Sequence, residues 1–188
     1  MEQIYERVKE ILSEKPGAVI GIDGFCASGK TTLAEQLAQK FNAQIIHMDD
    51  FFLPFDMRTE QRLSETGGNV HYERFNTEVV SGLEKSSEFV YRAFSCKYGD
   101  FRETRRILPC KPVIIEGSYA FHPKIKLSYD LKIFVKADLE TRHERILKRN
   151  GEDALEVFKA KWIPFENRYF EEFNIEESCD IIKQTGNI

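Results

Sequence analysis

The chain alternates between two hydrophobic periods. Ile4, Val8, Ile11 and Leu12 recur at helical spacing. They predict an amphipathic helix over residues 2–14, stopped by Pro16-Gly17. An apolar run from Ala18 to Ile22 reads as a strand. Leu33, Leu37 and Phe41 then mark one face of a second helix. Ala43 to His47 predicts another strand. Phe89 to Phe94 is strand-like, and 95–110 reads as a ragged return through Gly99. Pro112 to Ile115 is continuous and apolar and closes on Glu116, the pattern of a buried parallel strand. Asp130 to Val135 repeats that pattern. A charged helix over 138–150 ends at Gly151. A longer helix starts near 153, with Leu155, Phe158 and Trp162 facing inward and a bend at Pro164. Cys179 to Lys183 closes the chain as a short strand. Strands that alternate with helices predict an α/β protein, a parallel sheet covered by helices on both faces.

Residues 51–75 break the pattern. They hold no clear period but carry many aromatics, a Pro and a Gly-Gly pair. Long irregular stretches in compact domains tend to be functional or disordered, and the phenylalanines here argue against disorder. A short helix is expected around Thr77 to Glu84.

The strongest chemical signal lies between the first strand and the second helix. Gly24-Phe25-Cys26-Ala27-Ser28-Gly29-Lys30-Thr31 fits GxxxxGK[ST], the phosphate-binding P-loop. Gly24 and Gly29 permit backbone conformations that a Cβ would obstruct. The N–H groups from Ala27 through Thr32 can then cradle phosphate oxygens at the positive end of a helix. Lys30 brings a point charge to the β- and γ-phosphates of ATP, and the Thr31 hydroxyl suits Mg²⁺.

In such sheets ligands gather at the carboxyl ends of the strands. Asp49, Asp50 and Glu116 all stand at predicted strand ends. Asp49 is expected to act as the base on an attacking hydroxyl. Glu116 is expected on the metal side with Thr31, through water. Asp50 is equally suited to capping a turn. The helix 138–150 carries Arg142, Arg145, Lys148 and Arg149. Arg145 and Arg149 share a face and are expected to close on the transferring phosphate; Arg142 fits either that role or a solvated face. The aromatic insert is expected to line an acceptor pocket, with Tyr72 and Tyr91 beside Arg74 and Arg92 as polar anchors. His47, His71, His122 and His143 do not cluster in sequence and are assigned no chemistry.

Bulk properties narrow the class. The 188 residues fit one compact domain, with an insertion near 51–106 and a lid near 138–153. A net charge of −4 argues against a nucleic-acid surface. Cys26, Cys96, Cys110 and Cys179 form no CxxC pair, so reduced thiols and a cytoplasmic setting are expected. No stretch approaches the roughly 20 apolar residues of a membrane span. A small-molecule acceptor and ATP are the expected partners, and a homo-oligomer is compatible with the sequence.

These pieces together resemble the uridine kinase-like group of P-loop kinases. The likeness rests on Gly-Ile-Asp-Gly-Phe-Cys-Ala-Ser-Gly-Lys-Thr-Thr (21–32), Met-Asp-Asp-Phe-Phe (48–52), Val-Ile-Ile-Glu-Gly-Ser-Tyr-Ala (113–120), Tyr-Asp-Leu-Lys-Ile-Phe-Val (129–135) and the arginines of 142–149. The resemblance implies a five-stranded parallel core in a three-layer α/β/α fold, a lid helix, and transfer of the ATP γ-phosphate to a small-molecule hydroxyl. It puts the family's catalytic Asp on Asp49, its lid arginines on Arg145 and Arg149, and an aromatic of its nucleoside pocket on Tyr91. Uridine is the leading acceptor. Two departures bear on that choice. Where typical uridine kinases carry an Asn-Phe-Asp-His-Pro-like stretch, residues 67–75 read Gly-Gly-Asn-Val-His-Tyr-Glu-Arg-Phe, and Arg92 replaces the Asp expected after Tyr91. Pantothenate, nicotinamide riboside and sugar phosphates are acceptors of relatives with this architecture. A regulatory nucleotide switch is the reading of a different class, but the chain lacks the Asn/Thr-Lys-x-Asp motif of guanine-binding versions.

Overall fold

A computed structural model describes residues 1–85 and 87–186. Its core is a five-stranded parallel sheet in the order β2-β5-β1-β6-β7. The strands are β1 (Val19–Gly24), β2 (Gln44–His47), β5 (Val113–Glu116), β6 (Leu131–Lys136) and β7 (Ile181–Gln184). β1 and β5 are buried along their whole length. That is why they read as unbroken apolar runs rather than alternating ones. The edge strands β2 and β7 are only partly covered.

Helices cover both faces. α1 (Glu2–Glu14) and α2 (Lys30–Phe41) pack Ile4, Val8, Leu33 and Leu37 against Ile20, Ile22 and Ile114. The other face holds Phe75, Val79, Tyr169 and Phe170 against Ile115 and Phe134. Those side chains come from α4 (Tyr72–Phe75), from a π-helical turn (Asn76–Val80) that leads into α5 (Ser81–Glu84), and from α8 (Ile163–Glu172). The predicted helix at 77–84 therefore starts five residues early. A π-turn shifts the side-chain period and hides that start.

Between β2 and β5 lies the insertion. A 3₁₀ turn (Met48–Phe51) that packs against α4 is followed by a second 3₁₀ turn (Phe55–Met57) and α3 (Glu60–Ser64). β3 (Phe89–Ser95) and β4 (Asp100–Ile107) form a separate antiparallel hairpin. After β6 come α6 (Leu139–Asn150) and α7 (Glu152–Val157). A second π-turn (Phe158–Trp162) joins α7 to α8. Helical backbone runs unbroken from Glu152 through this π-turn to Glu172, so the expected long helix is present, and Pro164 falls directly after the π-turn, where the ordinary hydrogen-bond ladder is already interrupted. All four cysteines are free. Among the described residues no helix is long and apolar enough to cross a membrane.

Candidate active site

The loop from β1 to α2 is shaped by glycine. Gly24 has φ 138°, and a Cβ there would stand 2.0 Å from the Val135 carbonyl oxygen. Ala27 (φ 56°) and Gly29 (φ 102°) also take the left-handed region. The Lys30 ammonium folds back across the loop and donates to the carbonyls of Gly24 (2.7 Å) and Phe25 (2.8 Å). Ala27, Ser28, Gly29, Lys30, Thr31 and Thr32 border a cavity of about 840 Å³.

Parallel register brings the acids to that cavity. His47 at the end of β2 pairs with Glu116 at the end of β5. His47 Nδ1 lies 2.6 Å from Glu116 Oε1. That hydrogen bond raises the His47 pKa against the opposing effect of burial. The Thr31 hydroxyl donates to Glu116 at 3.2 Å. Asp49 follows in the 3₁₀ turn and faces the cavity. Crowding by protein pushes its carboxyl above the ordinary range, and the Glu116 charge adds to this. Its side chain has no hydrogen-bond partner among the described residues. Asp50 points the other way. It accepts from the Tyr91 hydroxyl at 3.0 Å and lies 3.3 Å from Arg105.

Thr31, Glu116 and Asp49 offer hard oxygen donors, which suits Mg²⁺. Among the described residues no three His, Cys, Asp or Glu side chains come together as a metal cluster. A Mg²⁺ here would be held by Thr31 and Glu116, with phosphate oxygens and water completing its shell. The loop's left-handed residues Ala27 and Gly29, at the start of α2 and on the cavity edge, likewise fit a triphosphate.

α6 docks on the same loop. Arg142 is buried; it donates to the Cys26 carbonyl (3.1 Å) and stacks on Phe25. It therefore belongs neither to a solvated face nor to the cavity wall. Arg145 donates to the Ala27 carbonyl at 3.0 Å and to Thr185 at 3.2 Å. Among the described residues Arg149 hydrogen-bonds only Asn150. Arg145 and Arg149 both line the cavity, as do Phe158 and Trp162, which the sequence pattern pointed into the core.

Four expected acceptor residues take other positions, and none borders either cavity. The Tyr72 ring stacks on His122 while its hydroxyl meets Glu65 and Lys124. Arg74 is buried and donates to the backbone carbonyls of Asp50 and Arg92. Tyr91 is buried and spends its hydroxyl on Asp50. Arg92 pairs with Glu78 and lies over Phe101. All four are bracing for the insertion. In their place Phe52, Cys96, Arg102 and Arg105 border a second cavity of about 380 Å³, which shares Asp49, Phe52 and Cys96 with the first.

Several residues of the site were assigned no role from the sequence. Asp23 is fully buried below the loop. Glu166, from α8, accepts from the Cys26 N–H at 2.9 Å and from the Ser118 hydroxyl at 2.5 Å. Ser118 in turn lies 3.3 Å from Lys30. The His47–Glu116 pair was open to inference, since both residues end neighbouring strands. Glu166 was not, because it lies 140 residues from its partner Cys26.

Comparisons with known proteins bear on the family and the fold. Uridine kinase-like protein 3 of Arabidopsis thaliana is 30% identical over 89% of this chain and 39% of its own length. Uridine kinase-like protein 4 of the same plant is 32% identical over 72% of this chain and 31% of its own. The chain thus spans well under half of those relatives. Uridine kinase of Clostridium botulinum is 27% identical, over 72% of this chain and 70% of its own. Among solved structures, a Bacillus stearothermophilus protein described as a possible uridine kinase superimposes with TM-score 0.66 at 18% identity, covering 96% of this chain and 99% of that one. YFH7 of Saccharomyces cerevisiae gives 0.67 at 14%, covering 100% and 99%. The model of the Phosphoribulokinase / Uridine kinase family matches residues 19–154, and with the P-loop, the acid-tipped strands and the sheet order in place, the chain belongs to that family.

Proposed function

We propose that this chain is an ATP-dependent phosphotransferase that moves the γ-phosphoryl group to a hydroxyl of a small molecule, a nucleoside such as uridine or cytidine foremost. One observation carries the reading. Asp49, a carboxylate with no hydrogen-bond partner among the described residues, stands where the P-loop cavity meets the cavity of the insertion. Donor and acceptor would approach from opposite sides of it. The names of the plant and clostridial relatives support the choice of acceptor.

In this reading the acceptor hydroxyl gives its proton to Asp49. Its oxygen forms the new P–O bond while the bond to the β-phosphate oxygen breaks and ADP leaves. A pKa raised above the ordinary carboxylate value makes Asp49 a better proton acceptor than a free aspartate. Lys30, Arg145 and Arg149 offset the charge of the equatorial oxygens. A Mg²⁺ held by Thr31 and Glu116 would neutralise charge across the β- and γ-phosphates.

The test is a coupled ADP-release assay with Mg²⁺-ATP against nucleosides, vitamin precursors and sugar phosphates. Release should depend on the acceptor. Asp49→Ala should lower kcat by about 10²–10⁴ while ATP binding survives. Unchanged turnover in Asp49→Ala would remove the base assignment. Activity on non-nucleosides alone would replace the acceptor and keep the reaction.

A further inference from the structure

Past its last residue β5 turns sharply and displays a hydroxyl in the donor cavity. Gly117 has φ 134°, and a Cβ on it would stand 2.8 Å from Met48 Cβ. Tyr119 is 3% exposed and has φ 75°, a conformation that bulky residues seldom adopt. Ser118 stands between these two residues and borders the large cavity. Strained backbone of this kind persists only where the fold over-determines it, and it clusters at reactive sites. A sharp turn after a strand is also one way a nucleophilic serine is held clear of a sheet.

The surroundings of this hydroxyl are those of a nucleophile. Ser118 Oγ donates to Glu166 Oε1 at 2.5 Å, a shorter contact than the 3.3 Å to the Gly24 carbonyl oxygen. Glu166 is only 5% exposed, and its other oxygen, Oε2, accepts from the Cys26 N–H at 2.9 Å. The carboxylate is therefore fixed in place against the hydroxyl. Lys30 Nζ lies 3.3 Å from the same Ser118 Oγ. Lys30 is the charge that the phosphate loop brings to the β- and γ-phosphates. One oxygen thus has a base within hydrogen-bond reach and the phosphate-binding ammonium as its neighbour. A brace for the loop would need only the contact of Glu166 with Cys26. It would need neither a hydroxyl on a strained turn nor one beside Lys30. Ser118 and Glu166 border the large cavity alone, whereas Asp49 borders both cavities. The internal hydroxyl and an external acceptor at Asp49 thus have separate bases.

We infer that Ser118 is a self-phosphorylation site, with Glu166 as its base and a Mg²⁺-bound nucleoside triphosphate as the phosphoryl donor. The inference rests on the donor half of the phosphotransferase reading. The Ser118 hydroxyl gives its proton to Glu166. Its oxygen forms a new bond to the γ-phosphorus, the bond from that phosphorus to the β–γ bridging oxygen breaks, and the nucleoside diphosphate leaves. The product is a phosphoserine on the turn after β5. The reaction consumes its own acceptor, so it stops at one phosphate per chain.

The experiment incubates the phosphatase-treated full chain with Mg²⁺-ATP and no external acceptor, and reads phosphate by intact mass and peptide mapping. Wild type should gain up to one phosphate per chain, on Ser118, at a first-order rate independent of protein concentration. Ser118→Ala should gain none on that peptide, and Ser118→Thr should carry phosphothreonine there. Glu166→Gln, at saturating ATP so that binding does not limit the rate, should be labelled about 10²-fold more slowly, within the usual worth of a general base. Labelling of Glu166→Gln as fast as wild type overturns the assignment of the base. A rate that rises with protein concentration overturns transfer within one chain. If Glu166→Gln fails to fold, the peptide maps of wild type and Ser118→Thr decide. Acceptor-dependent ADP release without phosphate on Ser118 overturns the inference and leaves the phosphotransferase standing. Failure to bind Mg²⁺-ATP in a nucleotide titration overturns both.

Discussion

At the end of β1 the Asp23 carboxyl has no exposed surface and meets three donors. They are the N–H of Gly24 (2.7 Å), the N–H of Phe121 (3.1 Å) and the hydroxyl of Tyr169 (2.8 Å). These bonds and the charge of Lys30 favour the ionised form, but burial outweighs them and lifts the pKa from 3.8 to about 6. The folded chain thus holds this proton more tightly than the unfolded one. The stabilisation is complete below pH 3.8 and is lost as pH rises through about 6. Over that window the group accounts for about 3 kcal/mol at 1.36 kcal/mol per pH unit. Asn cannot titrate. The difference in unfolding free energy between wild type and Asp23→Asn should therefore move against wild type by up to that amount between pH 4 and 7, as read by urea titration at each pH. A difference independent of pH would place the proton elsewhere. Asp23 lies in the 21–32 stretch that carries the family likeness, but no pattern announced its burial. An Asp inside an apolar run reads as a strand end, and the donors that bury it come from positions 121 and 169.

The hairpin of β3 and β4 shows the same limit at the scale of elements. Its strands were legible from local periodicity, as were β1, β5, β6 and the helices α1, α2 and α6. Its purpose was not. Alternation tells which residues share a face, but not what that face meets. In the fold, Tyr91 and Arg105 converge on Asp50, and Arg74 clasps the Asp50 carbonyl while stacking on Phe51. The hairpin thereby fixes the turn that presents Asp49. The stretch 51–75 escaped prediction for a related reason. Its order comes from distant pairs such as Phe52 with Val70 and Leu53 with Asn69, which leave no period. Removing one of these ties has a defined cost. Tyr91→Phe leaves the buried Asp50 carboxylate short of one donor, so stability should fall by about 1–3 kcal/mol. If the turn then loosens, kcat should fall while the ATP KM holds, because the P-loop is untouched. A variant as active as wild type, despite the stability loss, would show that Asp49 is held by its own turn alone.

Across the whole molecule, the arm from α6 to α8 grips the phosphate loop at several points. Arg142 and Arg145 take the carbonyls of Cys26 and Ala27, and Glu166 takes the Cys26 N–H. Ile146, Leu155 and Ile163 bury Cys26 between them. The segment expected to act as a free lid is therefore docked on the donor site. The two arginines assigned to the phosphate stand differently toward it. Arg145 is half-buried and already engaged with the loop and Thr185, so its loss should weaken both. Arg149 is exposed and among the described residues hydrogen-bonds only Asn150, so it can turn toward a phosphate without breaking a tie to the loop. Arg145→Ala should lower the melting temperature, by a loss of roughly 1 kcal/mol per bond, and should also weaken ATP binding. Arg149→Ala should leave the melting temperature and ATP affinity near wild type and lower kcat by about 10²-fold, the effect of removing one donor from a developing charge. Calorimetry, nucleotide titration and single-turnover rates on both variants separate the two roles. Equal losses of stability from the two substitutions would mean that Arg149 also braces the arm, and that neither arginine is held in reserve for the reaction.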